Sequence, residues 1–159
     1  MKTNATRQLD KLGIPYELRD YEVDPDDLGA LKVASQIGLP PSQVFKTLCA
    51  KGDHQTIVLA VGPGDCEVDV KALARAVDCR SMALVPVGQL PQLTGYILGG
   101  VTALACKKSY PVYLDGSALR YPVLAVSAGV RGTQILLAPQ EYVRATRANV
   151  GRIARALSA

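Results

Sequence analysis

Val44-Phe45-Lys46-Thr47-Leu48-Cys49-Ala50 is followed, across Gly52-Asp53-His54-Gln55, by a second β-rich run from Thr56 to Val61. Two such runs joined by a short polar segment are a hairpin signal. Side chains alternate faces along a strand, so Val44, Lys46, Leu48 and Ala50 share one side while Phe45, Thr47 and Cys49 share the other. Both sides are mainly apolar, so the pattern predicts a strand buried on both faces, with Lys46 as the charge inside it. Lysine is almost never fully buried unless it is paired or functional. Lys46 is therefore either a functional group, held as an ammonium for a phosphate or carbonyl oxygen or made a base by desolvation, or an edge-strand lysine whose stem packs while its head reaches water.

Outward from this hairpin the chain alternates strands and helices without a regular βαβ rhythm. Thr3 or Asn4 caps a helix through Leu12, and Tyr16 to Val23 alternates in strand fashion before a turn at Asp24-Pro25-Asp26-Asp27. Leu31 to Ile37 and Val70 to Val77 read as helices, the latter capped by Asp69, and Val87 to Leu93 as a short one. Met82 to Val85, Val112 to Leu114, Val123 to Ser127 and Thr133 to Leu137 read as strands. A last helix begins at Pro139 and runs toward the C-terminus, interrupted by Gly151. The expected fold is α+β, a mixed β-sheet or partly closed barrel surrounded by helices. No linker divides the 159 residues, so one domain over 1–159 is expected, with a basic C-terminal segment from about 144 to 159. On a continuous helix Arg144, Arg147, Arg152 and Arg155 would span an arc of roughly 140° and could face nucleic-acid phosphates.

Composition narrows the chemistry. Hydrophobic residues make up 48% and charged residues 20%, as in ordinary globular domains, and 18 Lys and Arg against 14 Asp and Glu leave a formal charge of +4. His54 is the single histidine, which excludes paired-histidine acid–base chemistry and a histidine-rich zinc site. Cys49, Cys66, Cys79 and Cys106 form no CxxC pair and sit among apolar neighbours, as small core residues do. The first residues lack the apolar stretch of a signal peptide, and no run is long enough to cross a bilayer. A cytoplasmic protein with reduced thiols, no cofactor and no bound metal is the expectation. Glycines cluster at Gly95, Gly99 and Gly100 and again at Gly129 and Gly132. They serve either as plain turns or as loops whose N–H groups converge on an anion. Ser127 ends a strand just before the second cluster, as a nucleophile that would need an adjacent base, as a substrate-binding hydroxyl, or as a turn-stabilising one.

Taken in order, Val44-Phe45-Lys46-Thr47-Leu48, Thr94-Gly95-Tyr96 with Gly99-Gly100, and Val126-Ser127 with Gly129 and Arg131-Gly132 resemble the YbaK/prolyl-tRNA synthetase insertion-domain superfamily, specifically its stand-alone YbaK branch. Leu12-Gly13-Ile14-Pro15-Tyr16, Tyr21 to Pro25 and Leu137-Ala138-Pro139 fit as well, so the resemblance spans roughly residues 3 to 145. It implies a trans-editing deacylase that removes cysteine from Cys-tRNA(Pro), with the substrate's own thiol attacking the ester. Pocket binding separates cysteine from proline poorly, which makes a second hydrolytic site useful. By position, the resemblance assigns Lys46, Gly99, Gly100 and Ser127 to catalysis, and Tyr21, Leu28, Thr47, Gly95, Ala128 and Gly129 to substrate binding. It implies tRNA, bound at its acceptor end, as partner, with prolyl-tRNA synthetase as a second one, and a monomer or weak homodimer. Three departures stand out. The family's Gly-Gly-x-Ser-Pro-x-Gly reads Gly99-Gly100-Val101-Thr102-Ala103-Leu104-Ala105, Ala128 replaces a glycine after Ser127, and Leu28 replaces an aromatic before Gly29. These leave open a deacylase for another small amino acid such as alanine, or a non-catalytic tRNA- or synthetase-binding module.

Overall fold

In a computed structural model describing residues 2–157, the apolar stretches of the sequence build three sheets around shared cores. Met1, Ser158 and Ala159, the ends of the expected domain, lie outside the described residues. In chain order the elements are α1 (Asn4–Lys11), β1 (Glu17–Asp20), α2 (Ala30–Ile37), β2 (Phe45–Gly52), β3 (Ile57–Pro63), β4 (Cys66–Val68), α3 (Val70–Val77), β5 (Met82–Leu84) and α4 (Leu90–Thr94). They continue with β6 (Val112–Asp115), β7 (Leu124–Ser127), β8 (Thr133–Leu137), α5 (Pro139–Thr146), β9 (Asn149–Gly151) and β10 (Ala154–Ala156).

The expected hairpin is the centre of the fold. β2 and β3 pair antiparallel from Phe45↔Pro63 to Lys51↔Ile57. β5 joins β2 antiparallel, while β6 and β9 extend β3 in parallel, giving a mixed five-stranded sheet in the order β5-β2-β3-β6-β9. β1, β8 and β7 form an antiparallel sheet, and β10 pairs with β4. The sheets stay open rather than closing into a barrel. Alternation works as read: Phe45, Cys49, Leu59 and Val61 enter the largest core with α1, β7, β8 and Tyr142. Ala50, Val58 and Ala60 face the other way, onto Leu73 and Ala74 of α3 and onto Ile153. A third cluster seats Val33, Ala34 and Ile37 of α2 against Val44, Ala125 and Leu136. Among the described residues no helix is long and apolar enough to cross a membrane.

The C-terminal reading needs correction. α5 stops at Thr146, Arg147 closes it at φ 56°, and the chain returns as two strands. The four arginines therefore share no helical face: Arg155 lies on β10, paired with Glu67 at 2.9 Å, and Arg152 is exposed between the strands. The cause is Asp115 at the end of β6. Its Oδ1 accepts the Ile153 and Ala154 N–H groups, each at 3.0 Å, and its Oδ2 accepts Ser117. These bonds are available only if the tail leaves the helix and returns to the sheet, where Ile153 is also buried. Smaller differences follow the same logic of partners. β1 is shorter than Tyr16 to Val23 because its pairing with β8 ends at Asp20↔Thr133. β4, a strand not expected from the sequence, forms because β10 lies beside it. Val87–Gln89 forms a separate tight turn before α4.

Burial alone would raise the Asp115 carboxyl, but the hydrogen bonds outweigh it and hold the group below its ordinary range. A lowered folded-state value contributes stability above about pH 4, which is lost as the pH falls toward the folded-state value. Asp115→Ala should cost roughly 2–4 kcal/mol by orphaning buried N–H groups, and Asp115→Asn should flatten the loss of stability below about pH 4. Urea unfolding at pH 7 and below pH 4 measures both; wild-type-like stability of Asp115→Ala would contradict the role.

Candidate functional site

The segment entering β2 pairs with β7 at a single parallel bridge, Val44↔Ala125, one residue before β2 begins, and β5 pairs with β2 only over Ala50–Gly52. Between these contacts, from Lys46 to Leu48, the strand pairs with β3 alone. A cleft of about 510 Å³ opens there, walled by β2, the start of α2, the 84–90 segment and the Leu98–Val101 loop. A parallel bridge keeps both chains running the same way, so two residues beyond it stand Lys46 and Ser127, and both line the cleft.

The cleft is largely apolar, and Lys46 is the one charged side chain among its described lining residues. Its Nζ donates to the Cys66 carbonyl at 2.6 Å. That bond uses one of three ammonium donors, fixing the head while leaving two for a ligand. Ser127 Oγ accepts from the Gly129 N–H at 3.1 Å, which leaves the hydroxyl proton free to donate. Two buried polar atoms, Thr47 Oγ1 and Gln134 Oε1, make no hydrogen bond of good geometry, and both residues line the cleft. Buried polar groups are normally satisfied. Thr47 is also near enough to the Tyr142 hydroxyl to act on its ionisation, although burial dominates and raises the tyrosine. Cys49 lines the same wall, and burial pushes its thiol up, away from the reactive thiolate.

Of the expected site residues, Lys46, Thr47, Leu28, Gly99 and Ser127 come together in the cleft. The others lie around it. Tyr21 packs against the α2 cluster. Gly95 ends α4 at φ 85°, and Ala128 is buried, its N–H closing the turn on Thr133. Gly129, at φ 94°, leaves no room for a side chain, since a Cβ would lie 2.9 Å from Tyr96 Cε1. Gly100 donates its N–H to Ile97 at 2.9 Å, so it braces the loop, whereas the Gly99 N–H meets no acceptor among the described residues. His54 is at the hairpin tip, its side chain 89% exposed and outside the cleft. Gln134 escaped the sequence reading. The signal was present: it is a polar side chain in the apolar run Thr133–Leu137, directly across from Ser127 in register.

Ala105, where the family pattern has glycine, adopts φ 51°. A Gln8 oxygen accepts its N–H at 2.7 Å, and the Tyr96 hydroxyl donates to the Leu104 and Ala105 carbonyls at 2.7 and 2.9 Å. Packing thus imposes a left-handed conformation on an alanine.

Residues 25–145 match the family model described as the aminoacyl-tRNA editing domain. The chain belongs to the aminoacyl-tRNA editing family. One relative in this family is EbsC of Enterococcus faecalis, named as a proposed Cys-tRNA(Pro)/Cys-tRNA(Cys) deacylase. It is 37% identical over 152 residues, covering 96% of this chain and 93% of that protein. YwhH of Bacillus subtilis, an uncharacterised protein, is 31% identical over 110 residues, 69% of either chain. The editing fold recurs in solved structures. A hypothetical protein superposes at TM-score 0.88 with 20% identity, over 96% of this chain and all of that one. A protein described as a proposed trans-editing enzyme for prolyl-tRNA synthetase superposes at 0.83 with 22% identity, over 98% and 99% of the two chains.

The strain at Ala105 is measurable. Relief of the left-handed alanine, less the larger entropy of an unfolded glycine, predicts that Ala105→Gly stabilises the protein by about 0.5–1 kcal/mol. Thermal unfolding of the pair decides it; a destabilised Ala105→Gly would mean that the loop holds no such strain.

Proposed function

We propose that this editing-family protein is a trans-acting aminoacyl-tRNA deacylase that removes cysteine from mischarged Cys-tRNA(Pro). The observation that carries the reading is the character of the cleft: an ammonium, hydroxyls and loop amides in an apolar wall, with no carboxylate or histidine among the described lining residues to act as a base. Ser127 has no partner there that would activate it, and Cys49 is held as a thiol. The nucleophile then comes from the substrate. The cysteinyl sulfur attacks the ester carbon, a C–S bond forms and the C–O bond to the ribose breaks. The thiol proton passes to solvent and the departing oxygen takes one up, leaving a thiolactone and free tRNA. The protein's part is to hold the thiol against the carbonyl and to stabilise the oxyanion. In this reading Lys46 and the Gly99 N–H face the developing charge, and Ser127 donates to the substrate. Thr47 and Leu28 bound the pocket, while Gly100, Gly95, Tyr21, Ala128 and Gly129 keep its walls in place. Action on translation substrates implies a cytoplasmic setting and the tRNA acceptor end as partner, with prolyl-tRNA synthetase supplying tRNA selection. The relatives support this substrate: EbsC carries the cysteinyl-tRNA deacylase name at 37% identity.

Labelled Cys-tRNA(Pro), Ala-tRNA(Pro) and Pro-tRNA(Pro) should be compared under one condition. Rapid loss of cysteine alone is expected, with Lys46→Ala folded but slower by about 100-fold or more, the usual cost of a lost oxyanion donor. A Lys46→Ala protein within a few-fold of wild type would remove the lysine from the chemistry, and equal turnover of alanine would overturn the cysteine assignment.

A further inference from the structure

A second cleft, of about 770 Å³, lies between α1, the 103–110 segment and the C-terminal end of α5. Arg7, Lys11, Lys108, Arg144 and Arg147 line it, all exposed, and no carboxylate is among its described lining residues. Among the described residues only Arg144 of these five has a carboxylate partner, Glu141 at 2.9 Å; Arg7 binds the neutral Asn4 amide. Asp10, the acidic residue of α1, is held by Lys2 and by the Tyr16 hydroxyl. At the cleft floor, burial pushes the Cys106 thiol up to about 12, so it stays neutral and subtracts nothing from the positive field.

The cleft is braced as well as charged. The Gln8 side-chain amide donates to the Ala145 carbonyl at 3.0 Å and accepts the Ala105 N–H at 2.7 Å, tying α1 to the other two walls. Arg144 adds a bond to the Leu12 carbonyl at 3.3 Å. Five cations from three segments are thus held in one concavity. Clefts lined by one sign of charge focus the field and gather counter-charged ligands.

We infer that this cleft binds the phosphate backbone of the tRNA, as a second contact separate from the one that receives the aminoacyl ester. The inference rests on the reading of tRNA as substrate. It also accounts for Arg144 and Arg147, which share a surface with α1 rather than with Arg152 and Arg155. A row of phosphates suits the site because separate cations at a rim can each meet one, and each contact releases counterions.

Binding of an uncharged tRNA transcript by the full chain, followed by fluorescence anisotropy from about 50 to 300 mM salt, tests this. Arg7→Gln, Lys108→Gln and Arg147→Gln combined should weaken binding at least ten-fold near 0.1 M salt. They should also flatten the plot of log affinity against log salt by about 2–3, near one per lost contact. Arg80→Gln, an exposed cation outside the cleft, should change affinity less than two-fold. Wild-type affinity and slope in the triple variant would overturn the inference. So would an equal loss in the Arg80 control, or a triple variant that keeps tRNA but loses prolyl-tRNA synthetase, which would make the cleft a protein-docking site. Because the transcript carries no ester, absence of deacylation would defeat the proposed function and leave this result standing.

Discussion

The hydrogen bond from Lys46 Nζ to the Cys66 carbonyl is the constraint on which the site depends. An ammonium within a strand whose neighbours are mainly buried is costly unless its donors are used. The Cys66 carbonyl uses one and fixes the head, and Lys46 is the charged residue among the described lining of the cleft. That bond requires β4 to lie close to β2, hence the turn at Gly64, where a Cβ would come within 2.7 Å of Ala30 at the start of α2. It also benefits from the returning tail, since β10 pairs with β4 and Asp115 holds the residues that lead into β10. One polar contact thus links the central hairpin, the wall of the cleft and the C-terminal strands.

The cleft itself follows from incomplete pairing. β5 pairs with the far end of β2 and β7 bridges to Val44 just before its start, and the stretch between, which pairs with β3 alone, borders an open cleft lined by side chains. Apolar walls make a lone cation and a few hydroxyls more effective than they would be in water, because the local dielectric is low. The same surroundings keep Cys49 protonated. Among its described lining residues this pocket carries groups that position and polarise, and no carboxylate or histidine. A substrate that carries its own nucleophile suits such a pocket.

What could be read from sequence follows from how local each signal is. The β2–β3 hairpin and the Asp69 cap of α3 are written in adjacent residues, and each stands as read; the oddity of Lys46 was legible in the same way, but not the Cys66 carbonyl that its head meets. Ser127 at the end of β7 was legible for the same reason. The tail was not. Arg144, Arg147 and Gly151 fit a helix with one interruption, and only Asp115, more than thirty residues earlier in the chain, supplies the acceptors that draw Ile153 and Ala154 back to the sheet. Gln134 needed the register with Ser127 before its place could be seen. The glycines divide in a way no spacing rule separates, because Gly100 spends its N–H on Ile97 while Gly99 does not. Ala105 shows the converse: the family pattern's glycine marked a left-handed position, and the fold keeps that conformation with an alanine in it.

In the proposed reaction the substrate supplies the nucleophile. The most direct measurement of this is the single-turnover rate on Cys-tRNA(Pro) against the same tRNA charged with 2-aminobutyrate, whose methyl group stands where the thiol was, so that size and apolar character are nearly kept while the attacking sulfur is removed. The proposed reaction predicts a fall of about 100-fold or more with the thiol-free substrate, because a group that reacts within its own molecule contributes a large part of the barrier reduction. Comparable rates on the two would contradict it and point to a water activated by the protein.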